Sequence, residues 1–135
     1  SKFPIDKKEI TCAILANTNN LKKIVKIVHL EVRKKMLLFL KKNNRFKIVI
    51  LDIPLLLENK INDKNDILVF VDSKKSEILK RLKKRKNFNL KIFKKFKDIQ
   101  LSSNYKKKKS HFIIKNDFKK KSVKTGINNV LERIT

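Results

Sequence analysis

Two acidic side chains, Asp52 and Glu58, follow a short apolar run near the middle of the chain. The run, Ile48 to Leu51, is too brief for a helix and rich in β-branched residues, which predicts a parallel strand covered on both faces. Both carboxylates would then lie beyond the carboxyl end of a strand, where open α/β sheets bind ligands. The alternative is that Pro54 only ends the strand and Asp52 caps the next turn.

Two pairs of basic side chains recur at a spacing of four residues, which places each pair on one edge of a helix. His29 and Arg33 border an apolar stripe and could together face an anion, although a histidine there is more often a packing residue. Arg81 and Arg85 could clamp phosphate, because guanidinium donors match phosphate oxygens bidentately. A solvated basic face is the rival interpretation of this second pair.

Gln100 shares a helix face with Phe93 and Phe96, so its amide either points at a ligand or finds a partner within the fold. Gly126 is the only glycine, and the chain therefore contains no glycine-rich loop that could cradle nucleotide phosphates. Cys12 has no partner for an intrachain disulfide, which fits a reducing compartment. No cysteine–histidine cluster suggests zinc.

The elements that would position these side chains alternate between helices and strands, which predicts an α/β fold with a parallel sheet. Apolar periodicity predicts helices over 5–17, 21–39, 74–84, 90–105 and 123–134. Strands are expected at 48–51, 67–71 and 112–114. Because no strand separates the third and fourth helices, residues 74–109 are expected to form a helical hairpin that could act as a lid.

The formal net charge of +25 suggests a nucleic-acid-binding module as one alternative. The excess is almost entirely lysine, however, and a lysine bias spread over all solvated faces argues against a dedicated nucleic-acid surface. No stretch approaches the roughly 20 apolar residues of a membrane span, and residues 1–10 lack the apolar core of a secretory signal. We therefore expect a soluble, cytoplasmic protein, and its charge is compatible with polyanionic small-molecule substrates. We also expect a monomer.

Taken in order, these motifs resemble the dephospho-coenzyme A kinases, which are P-loop enzymes similar to adenylate kinase in layout. The residues that carry the resemblance are Ile5–Lys7, Leu21–Val32 with His29 as the motif histidine, Pro54–Glu58 (PLLLE), Arg81, Leu82 and Arg85, Gln100 and Lys106, and the strand end Ile113, Ile114 and Asn116. The family's usual glycine after the strand-end asparagine is absent, and Phe118 stands near its place. The resemblance covers essentially the whole chain.

The resemblance implies a three-layer P-loop NTPase-like fold and ATP- and Mg²⁺-dependent phosphorylation of the ribose 3′-hydroxyl of dephospho-coenzyme A, the last step of coenzyme A biosynthesis. It places the first strand, the phosphate loop and the catalytic aspartate upstream of Ser1, so no catalytic or metal-binding residue is expected in this chain. We accordingly expect this fragment alone to be inactive. Another P-loop nucleoside or nucleotide kinase remains an alternative.

The resemblance also implies a division of labour along the chain. Residues 1–46 would form a helical coenzyme-binding region, 47–73 and 110–135 the sheet core, and 74–109 the lid. The residues that the resemblance places at the substrate are His29, Pro54, Leu55 and Glu58, and Arg33 is expected with them only because it shares the helix edge of His29. Those of the lid that would meet phosphates are Arg81, Arg85, Gln100 and Lys106. Asn116 would lie near the adenine of ATP.

Overall fold

The computed structural model describes residues 6–135. In chain order its elements are α1 (Lys7–Ala16), α2 (Thr18–Lys42), β1 (Val69–Asp72), α3 (Lys75–Lys83), α4 (Leu90–Asp98), α5 (Ser103–Lys109), β2 (Phe112–Lys115) and α6 (Lys120–Ile134). Helices and a small parallel sheet confirm the predicted α/β class. Ile5, which belongs to the first predicted helix and to the first motif, lies outside the described residues.

Contacts within the chain group into two compact units. The first unit contains the described residues up to Ile61 together with Asn89–Gln100, and the second contains Asn62–Phe88 together with Leu101–Thr135. Helix α4 thus belongs to the first unit, whereas α3 and α5 belong to the second. The functional regions expected from the resemblance, including the lid over 74–109, stay predictions.

The first unit is helical, and side-chain caps fix where its helices begin. Asp6 Oδ1 accepts a hydrogen bond from the Lys8 amide at 2.8 Å at the start of α1, and Asn17 Oδ1 accepts from the Asn19 amide at 2.9 Å at the start of α2. Such caps satisfy amides that have no partner within the helix. Helix α1 packs on α2 and α4, and Leu21 of α2, only 1% exposed, is fully buried.

The predicted strand at 48–51 is not formed. Within the described residues the sheet contains only β1 and β2, and residues 47–53 have no regular secondary structure. A strand needs a neighbour that accepts its backbone hydrogen bonds, and this segment has no such pairing. Ile50 is consequently 80% exposed. The apolar run indicated a buried segment, but composition alone could not supply the partner strand.

The second unit is built on two parallel strands, paired from Val69 with Phe112 to Asp72 with Lys115. These strands confirm the predictions at 67–71 and 112–114 to within two residues. Helix α6 packs on β2, and its Gly126 lies against the buried Ile114. Since a Cβ on Gly126 would meet the Ile114 side chain at 3.0 Å, the glycine permits this close approach of helix and strand.

The helix predicted over 90–105 is broken in two, which corrects that prediction. Helix α4 ends at Asp98, and α5 begins after Ser102, whose Oγ accepts a hydrogen bond from the Tyr105 amide at 3.1 Å. Serine competes with the helical backbone in this way and favours a new start over continuation. Within residues 6–135, none of the helices has the length and apolar content that crossing a bilayer would require.

Candidate functional site

A cavity of about 550 Å³ opens in the first unit between α2, the turn that follows residue 53, and the end of α4. Its lining combines charged and apolar side chains. They are Lys22, Val25, Lys26, His29, Leu30, Arg33, Leu55, Glu58, Asn59, Ile61, Asp98 and Ile99. Ligand sites of small molecules have this size and this mixture of apolar walls with a few polar groups.

Helix α2 supplies the basic wall of the cavity. Lys22, Lys26, His29 and Arg33 follow one another at steps of four, three and four residues, so they lie along one helix face. Asn17 caps the helix, and its buried Leu21 anchors it on the core. Three fixed cations and an imidazole therefore form a row on a rigid element, which is an arrangement suited to an extended anion.

The opposite wall is a tight turn over residues 54–60. Leu55 and Lys60 have positive φ angles of 56° and 49°, which only surrounding interactions can maintain in residues other than glycine. The Leu55 carbonyl accepts both the backbone amide and the side-chain amide of Asn59, at 3.1 and 2.9 Å. Arg33 donates to the Lys60 carbonyl at 3.1 Å, which ties this turn to α2. Ile61 then enters the core.

On the α2 wall, His29 carries a buried polar atom, Nδ1, without a hydrogen-bond partner among the described residues. A buried imidazole nitrogen without a partner costs free energy unless a ligand or water satisfies it. Glu58 and Asp98 add two carboxylates to the lining. The cavity can therefore accept hydrogen bonds from a ligand as well as bind anions.

The structure brings four of the five predicted substrate-binding residues to this one cavity: His29, Arg33, Leu55 and Glu58. Pro54 begins the same turn but is not among the lining residues. Sequence reasoning missed Lys22, Lys26, Asn59 and Asp98. The two lysines had a detectable signal in their helical spacing from His29, but the general abundance of lysine concealed it.

In the second unit, a loop that follows β2 carries Asn116. The Asn116 amide donates to the Asp72 carbonyl at 2.7 Å, at the carboxyl end of β1. Asn116 Oδ1 accepts from the Phe118 amide at 2.9 Å. Asp117 Oδ1 accepts from the Ser122 hydroxyl and from the Lys119 amide, and these bonds, that from Ser122 above all, lower the pKa of Asp117. Side chains thus fix the loop on both sides of residue 117.

Arg81 of α3 lies over the same loop. Its Cζ is 3.8 Å from the centre of the Phe118 ring, which is within the range of a cation–π contact. Nearby on the sheet, Lys107 Nζ of α5 forms a 2.6 Å ion pair with Asp72. Sequence reasoning did not assign a role to Phe118, although its place near an expected glycine marked it as unusual.

The other predicted lid residues are distributed over both units. Arg85 follows α3, where its carbonyl accepts the Phe88 amide at 3.0 Å, and Lys106 is half-buried within α5. Gln100 follows α4 and belongs to the first unit. Their roles stay predictions. Among residues 6–135, no group of three histidine, cysteine, aspartate or glutamate side chains could hold a metal ion.

Comparison with known proteins agrees with the motifs. The family model for dephospho-CoA kinase matches residues 4–122. A dephospho-CoA kinase of Wolbachia pipientis wMel is 30% identical over 132 residues, which is 96% of this chain and 67% of that protein. Those of Rickettsia typhi and Rickettsia prowazekii are 36% and 35% identical over 80 residues, 59% of this chain and 42% of each relative. This chain belongs to the dephospho-CoA kinase family.

Proposed function

We propose that the full-length protein transfers the γ-phosphoryl group of ATP to the ribose 3′-hydroxyl of dephospho-coenzyme A, and that the cavity of the first unit binds the acceptor. The observation that carries this proposal is the convergence of His29, Arg33, Leu55 and Glu58 on one cavity. His29 belongs to one motif, and Leu55 and Glu58 belong to another that lies more than twenty positions away; Arg33 was expected beside His29 from helical spacing. An unrelated basic helix would give no reason for that convergence.

The chemistry of the cavity fits the proposed acceptor. Dephospho-coenzyme A carries a pyrophosphate between an adenosine and a long, partly apolar arm, so it presents an anion flanked by uncharged groups. The basic row on α2 matches the pyrophosphate. Val25, Leu30 and Ile61 provide apolar surface beside it. His29 Nδ1, buried without a partner among the described residues, would gain a hydrogen bond from a ligand hydroxyl or give one to a ligand oxygen.

Phosphoryl transfer needs little covalent chemistry from the protein, because positioning and charge stabilisation lower most of the barrier. We assign the positioning of the acceptor to the first unit and contacts with ATP phosphates to Arg81, Arg85 and Lys106 of the second. Asn116 is assigned to the neighbourhood of the adenine. Mg²⁺ would enter as its complex with ATP, and none of the described residues is assigned to it as a ligand.

Arg33 offers a direct test of the acceptor site, with Arg45 as a matched arginine outside the cavity. Replacing Arg33 by Ala removes a cation whose hydrogen bond to a phosphate oxygen contributes about 1.5–3 kcal/mol. We therefore expect Arg33→Ala to raise the KM for dephospho-coenzyme A by roughly ten- to a hundredfold. The KM for ATP should change less than twofold, and Arg45→Ala should resemble the unaltered protein.

The measurement is steady-state kinetics of the full-length protein with each substrate varied in turn. A panel of other acceptors, including adenosine and nucleoside monophosphates, distinguishes this activity from that of a nucleoside or nucleotide kinase. An unaltered protein that phosphorylates another acceptor but not dephospho-coenzyme A would overturn the proposed function. An equal effect of Arg33→Ala and Arg45→Ala would overturn the assignment of the cavity.

We further propose that the fold is a three-layer, P-loop NTPase-like parallel sheet. Support comes from the parallel pairing of β1 with β2 and from the packing of α6 on β2.

A further inference from the structure

We propose that Phe118 is a positioning residue that holds the guanidinium of Arg81 in the orientation needed for a nucleotide phosphate. The inference rests on the proposed function, because it takes Arg81 to be a phosphate contact. Its physical basis is the stack of the Arg81 guanidinium on the Phe118 ring, with Cζ 3.8 Å from the ring centre. Nothing in the sequence motifs required an aromatic side chain at this position.

The backbone of Phe118 makes its side chain conspicuous. Its φ angle is 65°, which lies in the left-handed region that glycine adopts without cost and that bulky residues rarely enter. The Asn116 side chain supports this conformation by accepting the Phe118 amide at 2.9 Å. Glycine would meet the same backbone requirement with less strain. A phenylalanine at such a place therefore indicates that the ring itself contributes something.

The ring's contribution is to the cation above it. The Phe118 side chain is half-buried, whereas Arg81 is an exposed residue of α3 with a long, flexible side chain. An exposed arginine otherwise samples many rotamers, and ordering them costs binding free energy. A guanidinium that stacks by its face keeps its N–H donors, which lie in its own plane, for other partners. The stack thus restricts Arg81 while preserving its ability to bind phosphate.

The position of the stack also suits a nucleotide. Asn116, assigned to the neighbourhood of the adenine, is two residues from Phe118 and bonded to its amide. The Asn116 backbone amide in turn donates a hydrogen bond to the Asp72 carbonyl at 2.7 Å, at the carboxyl end of the parallel strands. One rigid loop therefore connects the end of β1, Asn116 and the cation of α3. A substitution of Phe118 should therefore change the KM for ATP and not the KM for the acceptor.

Two substitutions separate the ring from the backbone. Phe118→Gly removes the ring but keeps the left-handed conformation accessible, so it should not perturb the loop. Phe118→Tyr keeps both the ring and the stack. The chain also offers a matched control in Phe46, an exposed ring 5.4 Å from the guanidinium of Arg45, and Phe46→Leu removes a cation–π contact that has no proposed role.

In the full-length protein, we expect Phe118→Gly to raise the KM for ATP by about two- to fivefold, which is the range of a cation–π contact at an exposed site. The kcat and the KM for dephospho-coenzyme A should change less than twofold. Phe118→Tyr should restore the KM for ATP, and Phe46→Leu should leave all constants unchanged. If the ring had only a structural role, Phe118→Gly would instead change the KM values for both substrates together. Phe118→Gly and Phe46→Leu would then have similar effects.

NMR spectroscopy of the Arg81 side chain supplies a readout that is independent of activity. The ring current of Phe118 should shift the Arg81 Nε–H resonance upfield, and the shift should vanish in Phe118→Gly. Either of two results would overturn the inference. One is an unchanged KM for ATP in an active Phe118→Gly protein, and the other is an Arg81 Nε–H chemical shift that is the same with and without the substitution. A protein that shows the ring-current shift but phosphorylates no acceptor would instead overturn the proposed function and, with it, the use of the stack for phosphate binding.

Discussion

The substitution Gly126→Ala tests how closely α6 packs on the sheet of the second unit. A Cβ at this position would lie 3.0 Å from Cγ2 of Ile114, well inside the optimal separation of about 3.5–4.0 Å between carbon atoms. Ile114 is only 8% exposed, so its side chain has little room to move away. The added methyl group should therefore disfavour the packing of α6 on β2.

Two opposing effects determine the magnitude. Alanine stabilises a helix interior by about 1 kcal/mol relative to glycine, and Gly126 lies within α6. Overpacking a well-filled core costs about 1–3 kcal/mol. We therefore expect Gly126→Ala to change the free energy of unfolding by between zero and a loss of about 2 kcal/mol, the difference of those two ranges. The helix gain should be fully concealed by the clash.

A control and a double-mutant cycle isolate the contact. Asn128 is an exposed residue of the same helix, so Asn128→Ala should stabilise the protein by about 0.5 kcal/mol through helix propensity alone. In an Ile114→Ala background the clash is removed, and Gly126→Ala should then stabilise by about 1 kcal/mol. The coupling between positions 114 and 126 should accordingly be about 1–3 kcal/mol.

Hydrogen exchange of the β2 and α6 amides in the full-length protein measures these differences locally, and urea unfolding measures them globally. The reasoning would be refuted if Gly126→Ala stabilised the unaltered background as much as Asn128→Ala does. It would equally be refuted by a coupling near zero. Either result would mean that α6 lies further from β2 than the 3.0 Å approach requires.

Two further predictions concern the core of the first unit and the loop after β2. Leu21→Ala should lower the free energy of unfolding by about 2–5 kcal/mol, whereas Leu37→Ala, at a residue 58% exposed, should change it by less than about 0.5 kcal/mol; urea unfolding of both variants distinguishes a buried from a solvated position. Ser122→Ala should raise the pKa of Asp117, which the serine hydroxyl now lowers, whereas Thr125→Ala should not, as NMR titration of the carboxyl carbon would show. Because the folded pKa is depressed, the stabilisation from this carboxylate is present above its ordinary pKa and is lost as the pH falls through the lowered value.

Much of the fold could be predicted because most elements carry local signals. Apolar periodicity predicted the first two helices, whereas the caps at Asp6 and Asn17, which fix their first residues, were not used in the prediction. The break between α4 and α5 has a local signal in Ser102, which the prediction of one helix did not use. Residues 48–51 failed for a different reason, since a strand depends on a partner that no local pattern identifies.

The candidate site was predictable to the extent that its residues share one helix face. His29 and Arg33 are neighbours on α2, so helical spacing alone placed them together, and the structure adds Lys22 and Lys26 to the same row. That Leu55 and Glu58 lie opposite them depends on a turn with two left-handed residues, and no glycine at 55 or 60 indicated such a turn. Positive φ angles are usually predicted from glycine. Because Leu55 and Lys60 are not glycines, the sequence does not indicate this tight turn.

The cation–π contact between Arg81 and Phe118 could not be predicted from the sequence either. Phe118 was noticed only as a departure from an expected glycine, and a departure of that kind is easily taken for drift in a lysine-rich, glycine-poor chain. The geometry gives it another meaning, since its backbone is left-handed, with a φ angle of 65°, while its ring lies beneath the Arg81 guanidinium. A small or polar residue such as asparagine would adopt this conformation at lower cost. The backbone strain together with the stacked cation therefore favours a role for the ring.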